Sequence, residues 1–264
     1  MTSFVILAII VVIAFLISER NVKTNPRFKP DPSQFETYKG VIDYAYFDEI
    51  IKGKLLYYDK LNTASKSKFL KRLGELLEVK NFSGREGLYV SEEMKILLCG
   101  VLTMLTFGYN NFKIRGFDYF VIFPNTFYSK LLAQQVKGLT VGTGYVYLSW
   151  DNVMSGIENP TNGINLALHE MSHALYIDHF HSEPNWWRFE DFEWEAMKEI
   201  DAMKSRRDVP FLRHYAAENT VEFFAVCVEF FFEKPVSFKQ NRPIIYKELC
   251  ELLNQDPALL MIDK

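Results

Sequence analysis

The chain has 264 residues, 48% of them hydrophobic, and a formal net charge of -3 at neutral pH. That is enough apolar sequence for one enzyme-sized core, and the slight negative charge, with no basic stripe to track phosphates, gives no support to direct nucleic-acid binding. Three cysteines, Cys99, Cys227 and Cys250, lack C-x-x-C spacing and fall in apolar segments, which predicts buried free thiols in a reducing compartment rather than a disulfide framework.

Phe4 to Ile17 is uninterrupted apolar sequence, and with its flanking Thr and Ser residues it reaches about 17 residues, the lower limit for spanning a bilayer. No Lys or Arg precedes it, and Leu16 stands where a cleavable leader needs a small residue, so residues 1–18 read as a transmembrane helix rather than a signal peptide. Arg20, Lys23, Arg27 and Lys29 outnumber Glu19 and Asp31 just beyond it, which predicts a single-pass inner-membrane protein whose main domain faces the cytoplasm. Residues 19–40 form a linker, with Pro26, Pro30 and Pro32 favouring extended backbone. Residues 41–264 form the folded domain.

Within that domain, Phe69, Leu73, Leu76 and Leu77 recur at helical spacing and predict a helix over 65–80. Ser91 can cap a second helix whose first turn carries Glu92 and Glu93 and which Gly108 can close. Its apolar part, Ile96 to Phe107, is too short for a membrane span and reads as a buried core helix. Phe117 to Phe123 and Gly144 to Trp150 read as strands from their aromatic and β-branched content. Helices, then a small sheet, then helices define an α+β, mainly helical domain.

The phrase His169-Glu170-Met-Ser-His173 then appears inside Leu166 to Ile177, an otherwise apolar run. Histidines four apart on a helix share one face, about 6 Å apart along the axis, so both can reach one Zn²⁺ at roughly 2.0–2.1 Å. Glu170 projects about 100° around the same helix, where a carboxylate can hold a zinc-activated water and take its proton. Only five histidines occur in the chain, and two of them fall in this pattern on a segment apolar enough to be buried. An imidazole there is costly unless it has a partner.

After it, Phe189 to Asp201 is acidic and aromatic, read as a solvated helix face in preference to a rim that attracts a substrate's amino terminus. A catalytic zinc needs a third protein ligand. Glu218, Glu222 and Glu229 are spaced by four and seven along Glu218 to Glu233 and share one helical face. Phase does not choose among them. Glu218 sits by the helix start, where Asn219 or Thr220 can cap and the dipole favours a carboxylate. Glu222 and Glu229 lie within the apolar run, where a charge needs a metal or a buried ion pair.

His169-Glu-Met-Ser-His173, Tyr215-Ala-Ala-Glu-Asn-Thr-Val-Glu-Phe-Phe-Ala-Val226, Glu229-Phe-Phe-Phe-Glu-Lys-Pro235 and Gln255-Asp-Pro257 together resemble the zinc-dependent, glucose-regulated metallopeptidases related to Mlc titration factor A, whose catalytic core is similar to that of anthrax lethal factor. Lys80-Asn-Phe-Ser-Gly84, Leu105-Thr-Phe-Gly108 and Val146 to Asp151 extend the likeness. The resemblance implies a zincin-like fold, Glu222 as third metal ligand, and Tyr215 as a residue facing the metal that stabilises the oxyanion or protonates the leaving amine. It also implies aminopeptidase-like cleavage of short peptides, or, as the alternative function, sequestration of a transcriptional repressor. In such architectures the strand before the metal helix offers an edge to peptide substrate, so Gly142 to Leu148 is expected to line the cleft.

The chain departs from the family after His173, where a Leu-Asp pair and a glycine-bearing turn are expected. Here the sequence runs through Asp178, His179 and His181 to Trp187, and no glycine follows Gly163. His179 and His181 read as exposed loop residues, since the spacing of a third metzincin-type histidine is absent.

Overall fold

The computed structural model describes residues 32–142, 144–182, 187–205 and 211–260. The expected membrane helix at 1–18 and the greater part of the linker lie outside the described residues. Among the described residues, no helix is long and apolar enough to cross a membrane.

Short helices α1 (Tyr44–Ile51) and α2 (Leu56–Asp59) lead into α3 (Thr63–Leu77), capped by Asn62, whose side chain accepts from the Ser65 amide. The helix expected to reach Lys80 stops at Leu77 because Lys80 is drawn inward. Its buried ammonium donates to the carbonyls of Ile114 and Phe117, both at 3.0 Å, and to Asp118 Oδ1 at 2.7 Å. Extended backbone follows at once as β1 (Asn81–Gly84). Helix α4 (Glu92–Thr106) begins at the expected Ser91 cap and is buried continuously from Met94 to Thr106, as a core helix should be. Gly108 follows its end, where a Cβ would stand 2.1 Å from the Leu253 carbonyl oxygen.

Strands β2 (Tyr119–Phe123), β5 (Gly138–Val141) and β6 (Tyr145–Ser149) complete a four-stranded sheet in the order β1-β2-β6-β5. The pairs β1–β2 and β2–β6 are parallel, and β5–β6 is antiparallel. A separate two-stranded hairpin joins β3 (Phe127–Ser129) and β4 (Gln134–Val136). The expected edge strand over Gly142 to Leu148 needs correction. Here β6 is interior, and the edge is the preceding strand, β5. The reason is the tight turn after Val141: the Gly144 amide bonds to the Val141 carbonyl at 3.1 Å, and Gly144 takes φ +97°, a conformation open chiefly to glycine. The chain therefore folds β5 back along β6.

Helix α5 (Trp150–Glu158) follows β6 directly, and α6 (Leu166–Ser182) carries the histidine pair. His179 and His181 fall within α6, so they are helical rather than loop residues; their side chains lie outside the described set. Helix α6 packs against α4, α5, β5, β6 and α8 (Thr220–Glu233), which explains why its sequence is apolar on nearly every side. Helix α7 (Trp187–Ser205) buries Phe189, Phe192, Ala196, Ile200 and Met203, while Glu190 and Asp191 face water. The rings of Phe189 and Phe192 lie 5.4 Å from that of Phe224 on α8. Emptying the Phe224 position would cost about 3–5 kcal/mol. Helices α9 (Pro235–Asn241), α10 (Pro243–Leu253) and α11 (Pro257–Leu260) follow, all three opening on prolines whose missing amide is no loss at that position. The cysteines are all free; Cys99 and Cys227 are buried as expected, but Cys250 is half-buried.

The start of α6 is tied to α8 by carboxylates. Glu233 accepts from the Gly163 amide at 2.8 Å and from Asn165 Nδ2 at 3.1 Å. Gly163 has φ +79°, and a Cβ there would meet the Phe230 ring at 2.8 Å. Burial, opposed by those two bonds, pushes the Glu233 carboxyl up to about 7. Because the folded protein holds this proton more tightly than the unfolded chain, the contribution is present below the unfolded pKa near 4.5 and is lost as pH rises through about 7. Melting temperatures recorded from pH 4.5 to pH 8 should accordingly decline less steeply for Glu233→Gln than for the unaltered chain.

Candidate metal centre

His169 and Glu170 are buried on α6, and His173 lies one turn further at partial burial. Glu222 comes from α8, where Asn219 caps the helix by accepting from the Glu222 amide at 2.9 Å. That cap fixes the first turn of α8 and, with it, the carboxylate that the first turn projects. His169 Nε2 lies 3.1 Å from Glu222 Oε2 and 3.2 Å from His173 Nε2, and His173 Nε2 lies 3.5 Å from Glu222 Oε2. His169, His173 and Glu222 form the group of metal-capable side chains found among the described residues.

The dimensions of that triangle test whether a metal fits. Ligand atoms held roughly 2.0–2.1 Å from a tetrahedral ion stand about 3.3–3.4 Å from one another, and the three edges bracket that value. Charge gives a second test. Three buried carboxylates, Glu170, Glu222 and Glu229, lie at the site, and Arg213 pairs with Glu229, which leaves negative charge beside the imidazoles that a divalent cation would offset. Two nitrogens and one oxygen suit zinc. The donor set fits the ion.

The other two acids expected to share a face with Glu222 separate cleanly. Glu229 does not join the triangle. Its Oε2 sits 3.1 Å from His169 Nδ1, on the opposite edge of the ring, and bonds to the Arg213 guanidinium, while Oε1 accepts from the Asn165 amide at 2.7 Å. Of its two sequence readings, the buried ion pair is therefore the one seen. Glu218 lies at the end of the short 3-10 helix His214–Ala217, half-buried, and burial followed by the charge of Glu222 raises its pKa. Tyr215 is on the same 3-10 helix, 44% exposed, with its ring 5.9 Å from that of His169. Burial, then the charges of Glu222 and Glu218 and a hydrogen bond with Glu222, push its phenol far above the ordinary range, so it keeps its proton at neutral pH.

Electrostatics bind the cluster together. Burial works against a charged His169, but hydrogen bonds with Glu222 and Glu229 outweigh it and carry the imidazole to about 10. Burial likewise resists the Glu222 charge, yet His173 and His169 hold that carboxyl well below the usual carboxylate range. Glu170 moves the other way: burial raises it against the pull of His173, His169 and Thr140, which makes it a stronger base than an exposed carboxylate.

Two residues that sequence reasoning missed position Glu170. The Thr140 hydroxyl on β5 lies 2.7 Å from Glu170 Oε2 and 2.8 Å from the Glu170 carbonyl oxygen. Gly138, on the same strand, leaves room for the acid, since a Cβ there would stand 2.5 Å from Glu170 Oε1. The run Gly138-Leu-Thr-Val141 carries a β-branched signal for a strand, but nothing in it marks contact with a residue 30 positions away.

Paired imidazoles on one helix, a carboxylate from a second and a further carboxylate beside the first imidazole form a group that could hold a metal ion. Comparison with known families agrees: residues 44–253 match the model of the glucose-regulated metallo-peptidase M90 family, and the chain belongs to that family. Among its relatives, an uncharacterized protein of Synechocystis is 22% identical over 241 residues, covering 81% of this chain and 85% of its own. Mlc titration factor A of Yersinia pestis and that of Yersinia pseudotuberculosis are each 24% identical over 218 residues, covering 75% of this chain and 80% of theirs.

If the triangle holds zinc, purified full chain should contain close to one equivalent by atomic emission, and Glu222→Ala should lose most of it; full zinc occupancy in that variant would remove Glu222 from the ligand set.

Proposed function

We propose that the protein is a membrane-anchored, zinc-dependent peptidase that hydrolyses peptide bonds in an aminopeptidase-like manner, with His169, His173 and Glu222 holding the metal and Glu170 as general base. One observation carries the reading: the triangle of His169 Nε2, His173 Nε2 and Glu222 Oε2 has a buried carboxylate of raised basicity immediately beside it in Glu170. Zinc, when bound, supplies Lewis acidity that polarises a carbonyl and acidifies water.

The chain's own residues perform the remaining tasks. Glu170, steadied by Thr140 and backed by Gly138, accepts a proton from water and delivers it to the departing amine. Tyr215 keeps its phenol proton and donates a hydrogen bond to the oxyanion. Strand β5 is the sheet edge nearest the base. An edge strand suits a peptide added as a further strand.

Residues 1–18 supply the anchor in this reading, and the basic residues after them keep the catalytic domain on the cytoplasmic side of the inner membrane. A second reading is favoured by the name of the Yersinia relatives, Mlc titration factor A: the protein sequesters a transcriptional repressor, and peptide hydrolysis is secondary. The separating property is the general base, which hydrolysis requires and capture does not.

Glu170→Gln should retain zinc and abolish cleavage of fluorogenic peptides with free amino termini; equal rates with and without the change would refute the assigned base. Tyr215→Phe should lower kcat about 100-fold with little change in KM, measured by steady-state kinetics at saturating zinc. Gly138→Ala should push the Glu170 carboxylate aside and cost on the order of 100-fold in kcat/KM, with zinc content and melting temperature close to those of the unaltered chain.

A further inference from the structure

We infer that Glu229, clamped by Arg213, is a positioning residue for the metal centre: it holds His169 in the one tautomer and orientation that directs Nε2 at the metal. The inference rests on the metal reading given above. It begins from the ring of His169, which has a carboxylate on each side. Glu222 Oε2 stands 3.1 Å from Nε2, and Glu229 Oε2 stands 3.1 Å from Nδ1. A histidine that ligates through Nε2 must carry its remaining proton on Nδ1, and a carboxylate placed to accept that proton fixes the ring and strengthens its donor nitrogen.

Every contact of Glu229 serves that placement. Its side chain is 2% exposed, so its charge needs partners within the protein. Oε1 is taken by the Asn165 amide at 2.7 Å, at the start of the helix that carries both histidines. The Asn165 side chain caps that helix by accepting from the Leu168 amide at 3.1 Å. Oε2 is shared between the Arg213 guanidinium and His169 Nδ1. One carboxylate thus fixes the metal-bearing helix at its first turn and the imidazole one turn later. An ion pair serving only to join Arg213 to α8 would not require the oxygen to be aimed at the ring.

The second histidine supplies the contrast. His173 Nδ1 is buried and has no hydrogen-bond partner among the described residues. The two imidazole ligands are therefore unequally braced, and removal of the Glu229 charge should be felt chiefly at His169.

The test uses the full chain, its Glu229→Gln variant and the double variant Arg213→Met/Glu229→Gln, which removes the guanidinium that the single change leaves unpaired. Zinc affinity is read by competition with a chromogenic chelator, and the imidazole protons of the zinc-loaded protein are read by ¹⁵N-histidine NMR. Glu229→Gln should bind zinc about 10–100-fold more weakly and move the His169 Nδ1 proton upfield. In the double variant the melting temperature should recover while the affinity stays low. Unchanged affinity and an unmoved proton in Glu229→Gln, or affinity that recovers together with the melting temperature, would overturn the inference alone. Failure of the unaltered chain to bind zinc would overturn the metal reading and this inference with it.

Discussion

Two carboxylates from one helix grip opposite edges of a single imidazole from another, and the architecture around the site follows from that grip. Glu222 and Glu229 are seven residues apart on α8, so they lie on the same face about two turns apart. His169 fits between them, with Nε2 toward one and Nδ1 toward the other. For both contacts to exist, α6 and α8 must pack closely along their lengths, and this is among the more extensive helix pairings in the molecule. Chemistry and core packing share one interface.

Burying this much charge works against folding. The compensation is aromatic and local. Phe223, Phe224, Phe230, Phe231 and Phe232 are all buried on α8 around its acids; the first four pack on Tyr176, Phe189, Phe192, Tyr246 and Phe238, and Phe232 on Tyr57. Each buried large side chain contributes about 1.5–3 kcal/mol, so a helix with five of them can carry three buried glutamates. The same low-dielectric surroundings strengthen every interaction among Glu170, Glu222, Glu229 and the histidines.

Much of this was legible in the sequence, and the limits have physical causes. Histidines four apart with an acid between them announce their own geometry, because helical spacing is local. The acids of α8 stood out for a similar reason: charge within an apolar run demands a partner. Choosing among them was another matter, since Glu222 and Glu229 have the same helical phase and differ only in which edge of His169 they meet, a fact of three-dimensional packing. Family likeness pointed to Glu222, and the three-atom triangle is consistent with it. The sheet was harder to read. Strands β1, β3, β4 and β5 have three or four residues each, too few for alternation to register, and β1 pairs with a strand distant in sequence. The inversion at Gly144 that turns β5 into the sheet edge depends on one dihedral angle, which side-chain pattern does not report.

The distribution of glycine shows where close approach matters. Gly138 admits the Glu170 carboxylate against β5, and Gly163 admits the Phe230 ring against the turn that starts α6. One contact sets the Glu170 carboxylate and the other seats α6 on α8. Beyond Gly163 the chain has no glycine, so the α8 side of the site is built wholly from residues with side chains, and its fit there comes from capping, ion pairing and the backbone amides that Glu229 and Glu233 hold. Asn219 sets Glu222 and Arg213 sets Glu229, each reaching its acid from just ahead of α8. Tyr215 sits between those two residues on the same short segment. Any shift of the segment that moved the tyrosine would therefore also disturb the carboxylate at Nε2 and the carboxylate at Nδ1, which makes Tyr215, Glu222 and Glu229 a single mechanical unit.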